Sequence, residues 1–151
     1  FMRSRPLTIF RISAPYGYKD RQKTVVNIFL EKALHGESLT LMGTGRRMQD
    51  FIYVDDVARA FWLACLKKKF GLFNIASGKA VDMKTLAKTI INVTQSQSKI
   101  VYSRKPDPQE GRKIRVDIHR ARKELGFYPT YSLEQGLKAM AHSYRKGLLS
   151  K

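Results

Sequence analysis

The run GTGRRMQDFIYVDDVARAFWLA, residues 43–64, packs a glycine turn, a strand, two acids and a helix into one stretch. Gly43 and Gly45 make a tight turn, where glycine alone adopts unusual backbone angles without steric cost. DFIYV (50–54) is rich in strand formers. Asp55 or Asp56 then offers a carboxylate to the free amides of a new helix over about residues 56–69, which closes on Lys67, Lys68 and Lys69. Acid at the start and base at the end both suit the helix dipole. A strand feeding directly into a helix belongs to an alternating α/β arrangement, and the flanking sequence continues it.

Upstream, LTIFRIS (7–13) reads as a strand ending in the Pro- and Gly-containing turn APYGYKD. VVNIFLEKALHG (25–36) carries Val25, Ile28, Phe29, Lys32 and Ala33 at helical spacing and stops at Gly36. SLTLMGTG (38–45) is a short strand entering the glycine turn. Downstream, GLFNIAS (71–77) is a strand closing on Gly78, and Asp82 caps a helix over about 83–94 with Leu86, Ala87, Ile90 and Ile91 on one face. KIVYS (99–103) is a strand, followed by the polar loop RKPDPQEGRK. Asp117 caps a short helix that ends at Gly126. Ser132 and Gln135 have capping-box spacing for a last helix through about 146, with Leu133, Leu137 and Met140 inward. This order predicts an α/β fold with parallel pairing.

The chain of 151 residues, 43% hydrophobic and 27% charged, has the composition of one ordinary globular domain. Its single cysteine, Cys65, excludes an internal disulfide and sits in the apolar pattern AFWLACL, which makes it a core residue rather than a nucleophile. No apolar run approaches the roughly 18 residues of a membrane span and no signal-peptide pattern opens the chain, so a cytoplasmic protein is expected, with no membrane partner. Phe1 ahead of Met2 reads as an added residue or the edge of a cut. The net charge of +17 attracts nucleic acid, acidic membranes or phosphate-bearing small molecules. Zinc-finger spacing, glycine–aromatic RNA motifs and basic stripes with interleaved aromatics are all missing, so nucleic acid is the minor reading and a solvated basic surface the major one. His35, His119 and His142 have no metal-ligand spacing, and no metal is expected. Asp55, Asp56, Asp82 and Asp117 all stand at helix starts, where capping accounts for them.

Four segments in order resemble the extended short-chain dehydrogenase/reductases, in the UDP-galactose 4-epimerase-like branch of sugar-nucleotide epimerases, dehydratases and decarboxylases. FRISAPYG (10–17) is similar to the family's Arg-x-x-Asn-x-Tyr-Gly strand end. LTLMGTGRRMQDFIYVDDVARAF (39–61) is similar to Gly-x-Gly-x-x-x-Arg-Asp-Phe-Ile-x-Val-x-Asp-Val. GLFNIASGKAVDMKTLAKTI (71–90) resembles the Tyr-Asn-Ile-Gly-x-Gly strand and its helix. DIHRARKELGFYPTYSLEQGL (117–137) resembles Asp-x-x-Lys-Ala-x-x-x-Leu-Gly-Trp-x-Pro-x-x-x-Leu-x-x-Gly-Leu.

The resemblance implies a truncated Rossmann-type fold: the last parallel strands plus the small α/β substrate-binding domain. Residues 7–13 and about 51–77 would form the edge of the cofactor-binding sheet, and 1–151 as a whole the C-terminal portion of the enzyme. The NAD-binding N-terminal part would be absent, because the chain has no glycine-rich strand–turn–helix of the type that holds a pyrophosphate. The family's catalytic Tyr with a Lys four residues later is missing too. Tyr16, Tyr53, Tyr131 and Tyr144 are followed at that distance by Asp20, Val57, Gln135 and Leu148. No catalytic residue is therefore expected here, and the isolated chain is expected to be inactive and to hold no NAD, although Ile12 and Ser13 would border the cofactor.

In the family the substrate diphosphate lies against the Asn of the first motif and the Arg before Asp-Phe; Ala14 and Gln49 stand there in this chain. Alanine donates nothing and glutamine carries no charge. Arg46 or Arg47 either reaches into that space or decorates the turn. Met42 stands where relatives place an aromatic or apolar side chain beneath the nucleobase, and Val25 with Val26 matches the helix start that borders the base in relatives; simple packing is the alternative for all three. Relatives also carry an Arg and an acid in the loop matched by residues 104–117, which nominates Arg104, Asp107 and Arg112, with Glu110 taking the acid's place in a shorter register. A guanidinium grips phosphate bidentately, which makes Arg112 or Arg104 the expected anchor.

The leading expectation is the UDP- or dTDP-sugar-binding half of an NAD-dependent epimerase or dehydratase. A non-catalytic binding or regulatory protein on the same fold is the alternative that Ala14 and Gln49 would suit, and a basic nucleic-acid-binding module is the third. By the topology that the resemblance implies, LTIFRIS and GLFNIAS should pair in parallel, leaving 7–13 as an open edge through which the chain is expected to self-associate, by strand addition or by exchange of its N-terminal strand.

Overall fold

The computed structural model describes residues 6–18 and 24–149. In chain order its elements are β1 (Thr8–Ile12), β2 (Ala14–Tyr16), α1 (Val25–Leu34), β3 (Leu39–Leu41), β4 (Met48–Tyr53), α2 (Val54–Lys67), β5 (Gly71–Ile75), β6 (Ala80–Asp82), α3 (Met83–Thr94), β7 (Ile100–Tyr102) and α4 (Leu133–Leu149), with one wide helical turn at Ala121–Leu125 before α4. β1 and β5 pair in parallel with Thr8 opposite Gly71 and Ile12 opposite Ile75, the pairing expected from LTIFRIS and GLFNIAS. β2 runs parallel to β4, β3 runs parallel to β7, and β6 is antiparallel to β4. The fold is α/β with mostly parallel strands. β6 has no counterpart in the sequence reading, because three residues between a turn and a helix cap carry no periodicity.

The strand LTIFRIS changes sheets at Ser13. Up to Ile12 it pairs with β5, Ser13 N–H still donates to Ile75 O at 3.0 Å, and from Ala14 the chain pairs with β4. β4 in turn has two faces. Phe51 and Tyr53 pack into a core formed by α1, α3, α4 and β3, whereas Ile52 joins a second core with Ala60, Ala64, Phe73, Ile75, Leu125 and Phe127. This is the period-2 alternation of a pleated strand buried on both sides.

Local signals set most helix ends. Asp82 accepts from Thr85 N–H at 2.6 Å and caps α3. Ser132 and Gln135 form the reciprocal box at the start of α4, with Ser132 N–H donating to Gln135 Oε1 at 2.8 Å and Gln135 N–H to Ser132 Oγ at 3.2 Å. Asp117 accepts from His119 N–H at 2.8 Å, and Gly126 closes the wide turn with φ of +66°.

Three expectations are corrected. The inward stripe of α1 is Val26, Phe29, Leu30 and Ala33, with Val25 and Ile28 only partly buried at its border and Lys32 outside it, so the helix is turned by about one residue. α2 begins at Val54 without any side-chain cap, and Asp56 is buried and engaged elsewhere. Cys65 is exposed rather than core. α2 fully buries only Asp56, Ala60 and Ala64, at spacing i, i+4, i+8, with Val57 and Leu63 partly buried against the same core. Phe61, Trp62 and Leu66 therefore face out at 48%, 67% and 64% exposure. An apolar run on every side of a helix does not say which side meets the sheet.

Candidate functional site

β2, the start of α1 and the first half of β4 enclose a cleft of about 680 Å³. Its wall includes Ala14 and Tyr16 from β2, Val25 from α1, and Arg47, Gln49 and Phe51 from β4 and the residue before it. A second groove of about 610 Å³ shares Ala14 and Gln49 with the cleft and extends past Ile12 and Ser13 toward Asn74 and Asp117. The pair thus runs from the helix-bound side of the molecule to the C-terminal end of β1, beside its parallel partner β5.

Of the residues nominated from sequence, the structure brings Ala14, Val25 and Gln49 together in the cleft and puts Ile12 and Ser13 in the adjoining groove. Met42, Arg46, Arg104, Asp107 and Arg112 line neither. The reason is the path of the 103–113 loop, which folds onto the glycine turn. Thr44 N–H and its hydroxyl both donate to the Glu110 carboxylate, and Gly43 N–H donates to Lys105 O at 3.2 Å. These hydrogen bonds from Thr44 hold the Glu110 carboxyl below the usual glutamate range, ahead of the smaller pull of Arg46. Gly43 is required here: its φ is +54°, and a Cβ would overlap the Glu110 carboxylate. Met42 is 45% exposed, and Arg46, Arg104 and Arg112 lie on the surface. Asp107 is buried and turned inward to Arg47.

Arg47 is the cationic residue that the structure places in the cleft. Its Nη1 donates to Gln109 Oε1 at 2.8 Å, Nη2 reaches Met83 Sδ at 3.4 Å, and Nε lies 3.3 Å from Asp107 Oδ2. The sequence carried a signal that separates it from Arg46: Arg47, Gln49 and Phe51 are two apart, so all three point to one face of the strand line and all three line the cleft. Arg46 points the other way.

Two buried carboxylates hold the surroundings. Asp50, with no exposed surface, accepts from Ser77 N–H at 2.8 Å, Ser77 Oγ at 2.7 Å, Gly78 N–H at 2.9 Å and, more weakly, Ser13 Oγ at 3.4 Å. It ties the ends of β1 and β5 to β4, at the back of the second groove. Asp56 accepts from Thr130 N–H at 2.9 Å, Thr130 Oγ1 at 2.7 Å and Tyr131 N–H at 3.0 Å, and pairs with Arg59 at 3.3 Å. It locks the segment before α4 onto α2. Tyr16 is buried in the cleft floor, and burial, reinforced by Tyr53 and Asp56, pushes its phenol well above the normal tyrosine range. It remains a neutral donor, to Leu133 O at 3.2 Å, and is unsuited to act as a base near neutrality. Among the described residues no group of three or more His, Cys, Asp or Glu could hold a metal ion, and no helix is long and apolar enough to cross a membrane.

Residues 3–76 match the family model of the NAD dependent epimerase/dehydratase family. The chain is 32% identical over 141 residues to the dTDP-4-dehydro-6-deoxyglucose reductase of Escherichia coli, covering 89% of this chain and 44% of that protein. Among solved structures, it is 35% identical to the UDP-glucose 4-epimerase of Thermotoga maritima, solved with UDP-glucose, with a TM-score of 0.84, covering 93% of this chain and 46% of the other. The UDP-glucuronic acid 4-epimerase of Bacillus cereus, solved with UDP-glucuronic acid and NAD, is 27% identical with a TM-score of 0.82, over 95% of this chain and 46% of the other. The chain therefore spans a little under half the length of these relatives. Matching sequence, matching fold and the ordered motifs agree: the chain belongs to the NAD-dependent epimerase/dehydratase family.

Proposed function

We propose that this chain is the substrate-binding portion of a cytoplasmic NAD-dependent sugar-nucleotide epimerase or dehydratase. The observation that carries this reading is the position of the cleft. In open α/β sheets ligands bind beyond the carboxyl ends of the strands, and the cleft and its groove meet at Ala14, immediately past the end of β1. The nucleotide would lie toward Val25 with its diphosphate near Gln49, and the sugar would point toward Ser13. In this reading residues 7–13 and about 51–77 are the edge of the cofactor-binding sheet and the remainder is the substrate domain, a division supported by the parallel pairing of β1 with β5.

NAD enters this reading only at the margin. Ile12 and Ser13 offer a strand end, but no described residues form a glycine-rich turn leading into a helix N-terminus, so this chain by itself does not fit the cofactor. A Tyr/Lys pair and the NAD site would come from the portion of the relatives that this chain does not match.

Half a binding site binds weakly. Titration of the chain with UDP, dTDP and GDP, followed by NMR, is expected to give millimolar affinity for UDP or dTDP, about −4 kcal/mol. The amides of Ala14, Val25 and Gln49 should shift; if they stay still while the ligand is at saturating concentration, the cleft is not the nucleotide site.

Among the described residues β1 pairs only with β5, and Leu7, Ile9, Phe61, Trp62 and Leu72, in or next to these two strands and α2, are exposed. We propose that a second copy of the chain pairs with the other edge of β1. A charge of +17 opposes association, so salt should promote it. Light scattering is expected to show growth in mass with concentration and with added salt. A strict monomer under both conditions rules the pairing out.

A further inference from the structure

Arg47 is the one charged side chain lining the 680 Å³ cleft among the described residues, and it is poorly satisfied where it lies. A guanidinium carries five N–H donors in a planar fork. Nη1 has a sound acceptor in Gln109 Oε1 at 2.8 Å. Nη2 meets only the sulfur of Met83 at 3.4 Å, a weak acceptor. Nε, buried, stands 3.3 Å from Asp107 Oδ2, near enough for an ion pair but not aligned as a hydrogen bond. The side chain is only 20% exposed, so water cannot freely supply the missing acceptors.

We propose that Arg47 is the anion-binding group of the cleft and that Asp107 is the counterion it leaves when a phosphate-bearing ligand arrives. The proposal rests on the nucleotide-binding reading above and names the side chain that takes the phosphates and the carboxylate that gives it up. A phosphate presents several oxygens and matches the fork bidentately. Asp107 has one oxygen to give, because Oδ1 already accepts from Gln109 N–H at 2.8 Å. Gln49, at the family's usual arginine position, has no charge, and Arg47 lies two residues earlier on the same face. The exchange also carries information outward. Asp107 and Gln109 both hold Arg47, so its release re-aims residues 107–109, while the Thr44–Glu110 and Gly43–Lys105 bonds keep the rest of the loop docked.

The test is an NMR titration of the 151-residue chain with UDP and with uridine. The wild-type chain should bind UDP roughly tenfold or more tighter than uridine, the scale of one charge-assisted pair. Only UDP should shift the amides of Asp107 and Gln109. Asp107→Asn keeps the acceptor for Gln109 N–H but removes the competing charge. It should tighten UDP several-fold, leave uridine unchanged, and move the free protein's Gln109 amide toward its UDP-bound position. Arg47→Gln should close the gap between UDP and uridine. That variant strands Asp107, whose side chain is 7% exposed, so Arg47→Gln/Asp107→Asn, neutral on both sides, carries the same test if the single change does not fold. A UDP preference that survives in the double variant overturns the assignment, as does weaker UDP binding by Asp107→Asn. Equal wild-type binding of UDP and uridine rejects the phosphate contact but leaves the nucleotide cleft standing. Binding of neither rejects both.

Discussion

Asp50→Ala is expected to destabilise the chain by about 3 kcal/mol or more, and to do so by separating the two sheets at their junction. The carboxylate has no exposed surface and collects donors from Ser77, Gly78 and Ser13. Alanine takes the acceptor from the Ser77 and Gly78 N–H groups and from the Ser13 hydroxyl, while the Ser77 hydroxyl keeps Lys79 O. For a chain of this length that loss lowers the melting temperature by roughly 6–12 °C. Asparagine should cost less. Its Oδ1 can still serve Ser77 and Ser13, and only the Gly78 N–H that pairs with Oδ2 is lost. Thermal melts of the two variants, together with hydrogen exchange at Ser77 and Gly78, check the order. Equal losses for Ala and Asn would mean that charge, not the donor count, sets the energy; no loss at all would remove Asp50 as the junction.

Asp56→Ala is expected to cost about 2–4 kcal/mol, through three hydrogen bonds to Thr130 and Tyr131 and the contact with Arg59. Unlike the first variant, it should act at a distance of 74 residues along the chain. The segment 128–132 would come free of α2, and the start of α4 would lose the anchor that orients it against Tyr16 and Tyr53. Gly136 of α4 packs directly on the Tyr16 ring and hydroxyl, so the disturbance should reach the cleft floor. Urea melts read the stability change, and exchange of the Thr130 and Tyr131 amides locates it. Protection of those two amides undiminished in Asp56→Ala would show that the lock lies elsewhere. Were Asp56 only a helix cap, the loss would be about 1 kcal/mol and confined to the first turn of α2.

The contrast between Asp56 and Asp82 shows which features are written locally. Both are acids at the entrance of a helix. Asp82 caps α3 through an amide three residues away. Such a bond needs only its own turn, and the same holds for the Ser132–Gln135 box and for Gly126 after the wide turn. These short-range devices, with the alternation of apolar strands and helices, specify the order of the elements other than β6, while the parallel pairing of β1 with β5 was implied by the family resemblance. The ordered motifs from Phe10 to Leu137 mark the family in the same way, since they are statements about one residue type after another along the chain.

Tertiary structure decided the rest, because its partners lie tens of residues apart. No local rule says that Asp56 turns from its own helix to Thr130, or that Asp50 holds Ser13 and Ser77 together. The phase of α2 is a similar case. Apolar residues surround the helix, so only docking on β4 and β5 selects Ala60 and Ala64 for burial and leaves Trp62 and Cys65 outside. The nominated residues divide along the same line. Ala14, Val25 and Gln49 reach the cleft because they sit on elements whose register is set by neighbours. Arg104, Asp107 and Arg112 belong to a loop whose course depends on where Glu110 finds Thr44, 66 residues earlier. That long-range hydrogen bond docks the loop on the glycine turn, turns Asp107 toward Arg47, and leaves Arg47 as the cation of the cleft.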